Sequence, residues 1–125
     1  MTFAEKAEVT PEQIAGAQRI SATDLIELVS DKKKLVLIDS RISGDRQKGY
    51  IETSVSLPNT QTTCQSLEKI VPSKTTPIAF YCNGVLCGRS GKAIVIARDC
   101  GYKELYWYRD GFEDWLKRSY PYIRD

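Results

Sequence analysis

Histidine is absent from the 125 residues, and methionine occurs once. Without an imidazole the chain cannot assemble the Ser-His-Asp or Cys-His couples of hydrolases, and it lacks a common ligand of zinc sites. It also lacks any run of the roughly 18 apolar residues that a membrane span requires. Met1 to Gly16 has neither the basic start nor the apolar middle of a signal peptide. The chain therefore reads as soluble and, as it stands, cytoplasmic; a bacterial periplasmic location stays open if a signal peptide has been removed. An excess of one charge is missing too, with 18 basic against 16 acidic residues and a net charge of +2. Lys32-Lys33-Lys34 is the one basic cluster, and beside Asp31 it reads as a solvated turn, not the extended footprint that nucleic acid needs. No nucleic-acid or membrane partner is expected, and the length suits one hydrophobic core in a monomer.

What is present is an alternation of elements. Met1 to Ala17 is polar, with Pro11 and Gly16 but no clear period, and reads as an arm lying over the domain or partly disordered; residues 18–125 form the domain proper. Ser21-Ala22-Thr23-Asp24 has the form of a capping box opening a short helix through Leu25, Ile26, Leu28 and Val29. Leu35 to Ile38 is a continuous apolar run that empties into Asp39-Ser40-Arg41, as a strand buried on both faces does. Ser43 to Gly49 suits a short polar helix, Val55 to Leu57 a short strand, and Cys64 to Val71 a helix ended by Pro72. Pro77 to Tyr81 repeats the buried-strand signature and runs directly into Cys82. Ser90 to Cys100 then carries apolar residues on one helical face, stopped by Gly101. Leu105 to Tyr108 is a further strand and Gly111 to Leu116 a closing helix.

Strands alternating with helices predict an α/β fold in three layers: a central, mainly parallel sheet of about five strands with helices on both faces. Ligands of such sheets bind beyond the carboxyl ends of the strands. Two polar strand ends, Asp39-Ser40-Arg41 and the loop after Tyr81, are thereby aimed at one place. The aromatic group Tyr102, Tyr106, Trp107, Tyr108, Phe112 and Trp115 reads as core packing, with Arg109-Asp110 at the rim of the site.

The loop Cys82-Asn83-Gly84-Val85-Leu86-Cys87-Gly88-Arg89-Ser90 carries the candidate chemistry. A cysteine between a buried strand and a helix start is placed where backbone N–H groups can converge on its sulfur. A helix N-terminus and cations such as Arg89 and Lys92 favour the thiolate, which is the nucleophile. Gly84 and Gly88 are read as admitting backbone conformations closed to other residues, and Ser90 as the cap of the helix. Cys87 has two readings, a packing residue or a second thiol that closes a disulfide with Cys82. Such a bond across five positions needs Cα atoms within about 6 Å. Cys64 and Cys100 read as core residues on apolar helical stripes. Two thiolates make an incomplete zinc shell, so no metal and no cofactor are expected.

In this order the pieces resemble the rhodanese (thiosulfate sulfurtransferase) homology domain from Ile20 to Tyr122. They are Ile20 to Leu25, Leu37-Ile38-Asp39-Ser40-Arg41, Gly49-Tyr50-Ile51 through Leu57-Pro58-Asn59, Tyr81-Cys82 with Gly84 and Arg89-Ser90, and Gly101-Tyr102 through Gly111 to Trp115 and Tyr120-Pro121. The resemblance implies that Cys82 bears a persulfide, that the amides of residues 83 to 89 line its pocket, and that Asp39 and Arg41 brace the neighbouring strand end. It implies an anionic, thiosulfate-like sulfur donor and a thiol, cyanide or protein acceptor. Tyr50 stands where the family has histidine and Glu52 where it has proline, and six residues separate Cys82 from Arg89 where the commonest family loop has four. The longer loop is similar to that of single-domain rhodaneses in exported or membrane-associated bacterial proteins. Two other functions compete with sulfur transfer: a non-catalytic or protein-to-protein sulfur-relay module, and a cysteine phosphatase or arsenate reductase. The loops of the latter resemble His-Cys-x5-Arg, whereas Tyr81 precedes the cysteine here.

Overall fold

The structure, a computed structural model, describes residues 8–32 and 34–125; the first seven residues of the polar arm and Lys33 of the basic cluster lie outside them. Along the chain run β1 (Gln18–Arg19), α1 (Ala22–Asp31), β2 (Val36–Asp39), α2 (Ser43–Arg46), β3 (Val55–Ser56), a 3-10 turn (Asn59–Gln61), α3 (Cys64–Ile70), β4 (Ile78–Tyr81), α4 (Arg89–Asp99), β5 (Leu105–Tyr108) and α5 (Gly111–Lys117). The sheet order is β1-β5-β4-β2-β3 and every pairing is parallel.

The apolar runs divide by strand alternation between two cores, because successive side chains point to opposite faces. Ile38, Ile78, Phe80, Leu105 and Trp107 join Leu67 of α3 and Ala93, Ile94 and Ala97 of α4. Leu37, Ala79, Tyr81, Tyr106 and Tyr108 join Leu25 of α1 and Phe112 and Trp115 of α5. Helices therefore cover both faces, as the unbroken hydrophobicity of β2, β4 and β5 demands. The two-residue β1, the fifth strand, was not among the segments expected to be strands. It is polar and gains its identity only from Gln18 and Arg19 lying level with Tyr106 and Trp107. Among the described residues no helix is long and apolar enough to cross a membrane.

Local signals set the helix limits. The capping box of α1 forms in both directions, Asp24 N–H to Ser21 Oγ and Ser21 N–H to Asp24 Oδ2, each at 3.1 Å, and such a cap stabilises a helix by about 1 kcal/mol. A second box, Thr63 with Ser66, starts α3. The polar helix expected to reach Gly49 ends earlier, at Arg46, and Gly49 itself has φ +145°, outside the helical region.

The reading of Cys64 and Cys100 as isolated core residues is corrected. Cys64 opens α3 and Cys100 closes α4, and the two form a disulfide with Cα atoms 5.5 Å apart. Their apolar stripes bring both helices onto one sheet face, which places the two thiols together. The bond spans a sequence separation of 36, for which loop-closure entropy gives about 4 kcal/mol of stabilisation. Under non-reducing conditions the paired substitution Cys64→Ala/Cys100→Ala is expected to lower the unfolding free energy by about that amount in urea titration. A loss within about 0.5 kcal/mol would mean the bond contributes nothing.

Candidate functional site

Cys82 follows the last residue of β4, the strand flanked by β5 and β2 at the middle of the sheet. Because all pairings are parallel, Asp39, Tyr81 and Tyr108 stand level at the carboxyl edge. Ser40 is one residue beyond that row on one side of Cys82, and Arg109 one residue beyond it on the other. The loop then folds back through a turn in which Cys87 N–H donates to the carbonyl of Gly84 at 2.9 Å, with Val85 and Leu86 at its tip. This turn occupies the additional length of the loop. It returns Cys87 to Cys82, and the two are paired as a disulfide with Cα atoms 6.1 Å apart. Cys82 is buried at 1% exposure and Cys87 is half-buried.

The bonding of the remaining loop groups is unequal. Among the described residues the N–H groups of Asn83, Gly84, Val85, Leu86 and Gly88 have no backbone partner. Arg89 opens α4 and donates through Nη1 to Asn59 Oδ1 at 2.7 Å, which ties the loop to the 3-10 turn after β3. Neither Arg89 nor Lys92 forms an ion pair among the described residues. Two positive charges near the start of α4 thus have no acidic partner among the described residues. The expected role of Ser90 as helix cap is corrected: Gly88 is the cap position, and Ser90 is buried with its Oγ accepting a hydrogen bond from Trp107 Nε1 at 2.9 Å. The indole needs a buried partner, and Ser90 supplies it.

The reading of the loop glycines is corrected as well. Gly84 and Gly88 are not among the residues with positive φ, and a Cβ on Gly88 would meet nothing within 4 Å. At Gly84 a Cβ would lie 2.5 Å from Glu113 Oε1, the end of an exposed, flexible side chain that can turn away. The glycine that the backbone demands is Gly111, at φ +68°, where a Cβ would sit 2.6 Å from the carbonyl oxygen of Cys82. That close approach lets the first amides of α5 meet the loop, Phe112 N–H on the Cys82 carbonyl at 2.9 Å and Glu113 N–H on the Asn83 carbonyl at 2.8 Å. Sequence reasoning marked Gly111 only as a helix start, although glycine directly after Arg109-Asp110 at a strand end was the available signal.

The neighbouring strand end is a buried ionic hub. Asp39 Oδ1 accepts from Arg41 N–H at 3.0 Å and Nε at 2.9 Å, while Oδ2 accepts from Arg41 Nη2 at 2.9 Å, Arg46 Nη1 at 3.0 Å and the Tyr81 hydroxyl at 3.1 Å. Arg41 continues to the Gly49 carbonyl at 2.7 Å and to Asn83 Oδ1 at 3.5 Å, and Asn83 Nδ2 donates to Asp45 Oδ2 at 3.0 Å. Asp39 and Arg41 thus reach the first loop residue. Burial opposes the Arg41 charge, but the hydrogen bond and charge of Asp39 outweigh it and hold the guanidinium above its ordinary value. Burial, then the Asp39 charge, pushes Tyr81 up to about 12. Beside this hub, Ser40 Oγ is buried and without a hydrogen-bond partner among the described residues. It was read only as part of the strand end, and nothing in a serine's sequence context reports an unpaired hydroxyl.

The arm reaches the site from the other side. Thr10 donates to the Val85 carbonyl through both N–H and Oγ1, each at 2.8 Å. Arg109, buried beyond β5, holds Thr10 in turn through Nε to Oγ1 at 3.1 Å and Nη2 to the carbonyl at 2.8 Å. Tyr50 packs its ring under the Arg46 guanidinium at 3.8 Å and pairs with Ile123 in an isolated bridge.

The family model of the Rhodanese-like domain matches residues 21–118. No curated protein matches the chain significantly. Among solved structures, a protein of Bacillus halodurans superposes with a TM-score of 0.76 at 21% identity, covering 86% of this chain and 77% of that one. A thiosulfate sulfurtransferase from Pseudomonas aeruginosa gives 0.69 at 16% identity, over 86% of this chain but 20% of its own length. A Rhodopseudomonas palustris protein of unknown function, a possible tyrosine phosphatase, gives 0.72 at 22% identity over 91% of this chain and 99% of its own. At these identities the likeness is one of fold.

Two outcomes are expected. Gly111→Ala places a β-carbon against the Cys82 carbonyl at a positive φ, and a loss of about 2 kcal/mol in urea unfolding is predicted; a change under about 0.5 kcal/mol would remove Gly111 from the argument. The raised Tyr81 value means that the folded state binds this proton more tightly than the unfolded chain, whose phenol titrates near 10.0. Its contribution is fully present below that pH and is lost as pH rises toward 12, at up to about 1.4 kcal/mol per unit. Unfolding measured between about pH 10 and 12 should show a slope of this sign, to which the raised Tyr106 and Tyr108 also contribute, and Tyr81→Phe should reduce it; equal slopes would sink the assignment.

Proposed function

The chain belongs to the rhodanese-like domain family, and from that membership we propose that it is a sulfurtransferase that carries sulfane sulfur on Cys82. The observation that carries this reading is the position of Cys82: buried at the carboxyl end of central β4, in a loop whose backbone is held by α5 and runs directly into the N-terminus of α4.

The active form is the one with Cys82 reduced. Its thiolate attacks the outer sulfur of an anionic donor of the thiosulfate type. The bond between the two donor sulfurs breaks, its electron pair leaves with sulfite, and Cys82 retains the outer sulfur as a persulfide. Cyanide or a thiol then takes that sulfur and restores the thiolate. No general base is required where the thiolate is favoured by the helix N-terminus and by Arg89 and Lys92. The unpartnered amides of Asn83, Gly84, Val85, Leu86 and Gly88 supply donors for the negative charge carried by donor and persulfide. Cys87, Arg89, Ser90 and Lys92 complete the proposed site, Ser90 through the packing of α4. Asp39 and Arg41 act as positioning residues by fixing Asn83.

The test uses reduced protein carrying Cys87→Ser, in which Cys82 has no pairing partner. Incubation with thiosulfate should add about 32 Da to the intact mass, and cyanide should remove it as thiocyanate. The same treatment of Cys82→Ser/Cys87→Ser should add nothing. Absence of an adduct from thiosulfate and from organic persulfides, with turnover of an aryl phosphate, would assign the loop to phosphoryl transfer instead.

A further inference from the structure

Transfer to an external acceptor leaves Cys87 without a task, yet the loop is built to present it. The turn from Gly84 to Cys87 brings the Cα atoms of Cys82 and Cys87 to 6.1 Å, inside the range that a disulfide spans. Both halves of the loop are held in that arrangement. The Cys82 and Asn83 carbonyls are bonded by α5, and the Val85 carbonyl at the turn is bonded twice by Thr10. Cys87 stands directly before Gly88, the cap position of the eleven-residue α4, where the helix field favours an anion. The two sulfurs also differ in access, since Cys82 is 1% exposed and Cys87 half-buried.

Resting on the persulfide reading above, we propose that the domain reduces its own cargo and releases it as hydrogen sulfide, with Cys87 as the resolving nucleophile and an external dithiol as the reductant. The Cys87 thiolate attacks the inner sulfur of the Cys82 persulfide. A bond forms between Cys82 Sγ and Cys87 Sγ while the bond to the outer sulfur breaks, and the outer sulfur leaves with the electron pair as hydrosulfide. The two cysteines are oxidised to the disulfide and the sulfane sulfur is reduced to sulfide, so atoms and electrons balance. The product of that step is a Cys82–Cys87 disulfide, the pairing that the loop geometry permits. Its reopening starts at the more accessible sulfur: one thiol of the dithiol attacks Cys87 Sγ, Cys82 departs as the thiolate, and the second thiol of the reductant closes on its own sulfur to free Cys87. Each cycle regenerates the nucleophile in the site that the donor enters. The acceptor class is therefore a dithiol protein or small dithiol, and the product is sulfide, not a sulfurated acceptor.

The full chain, reduced with dithiothreitol and desalted without oxygen, is treated with thiosulfate in wild-type and Cys87→Ser forms, and mass and released sulfide are followed together. Wild type is expected to release one sulfide per chain and to settle about 2 Da below its reduced mass, while Cys87→Ser holds its added 32 Da or so and releases none. Added dithiothreitol should then make sulfide release continuous in wild type and at least roughly tenfold slower in Cys87→Ser at matched concentration. A persulfide equally long-lived in both forms would overturn the resolving role and leave the sulfurtransferase standing. An adduct in neither form, without sulfide, would overturn the sulfurtransferase itself. Matching thermal transitions of the two proteins show that the substitution has not unfolded the loop's host domain.

Discussion

A carboxylate out of contact with water organises the carboxyl edge of the sheet. An ionised Asp39 can be buried only if its lone pairs are satisfied and its charge is matched, and five donors from Arg41, Arg46 and Tyr81 meet that demand. The three donor residues tie together different parts of the chain. Tyr81 is the last residue of the strand that ends in Cys82, Arg46 also binds Ser54 ahead of β3, and Arg41 spans from Gly49 to Asn83. The requirement of one side chain thereby positions three segments around the Cys82 loop. Removing any partner would leave a buried charge exposed to the cost of desolvation, which is why the arrangement tolerates little variation in geometry.

The parallel topology decides where that point lies. All strands end at the same edge, so the loop after β4, the turn after β2 and the start of α5 after β5 are neighbours although distant in sequence. The α5 amides then bind the loop carbonyls as they would bind the previous turn of their own helix. Gly111 makes this approach sterically available. On the opposite flank Arg109 holds Thr10 and Thr10 holds Val85. The loop is thus gripped at its first residues and at its turn, and its two cysteines face each other as a consequence.

Much of this was legible from residue order. The uninterrupted apolar runs of β2, β4 and β5 announced strands buried on both faces, the capping box located α1, and Cys82 between a strand and a helix marked the candidate site. What escaped were contacts with no local signature. Gln18–Arg19 is too short and polar to be read as a strand. Cys64 and Cys100 looked like packing residues because helical stripes do not report which stripes meet. Ser90 was read as a cap from its place in the chain, whereas the indole of Trp107 claims it. The loop glycines were read through conformational freedom, and the glycine actually constrained by backbone contact lies twenty-seven positions after Gly84, across the sheet edge at Gly111.

Sequence alone determined the class of fold, the run of strands and helices, and the identity of the candidate nucleophile. These depend on hydrophobic period, capping and chain position, which act over a few residues. Only the tertiary structure decided which cysteines pair, which glycine is indispensable, and what holds the loop. Those follow from distances between segments brought together by parallel pairing, and a linear pattern does not encode such distances. The identity of Cys87 as the partner of Cys82 lies between the two cases. Its spacing permitted the contact, but the turn at Gly84, the α5 amides and the arm residue Thr10 together hold the loop in which it is made.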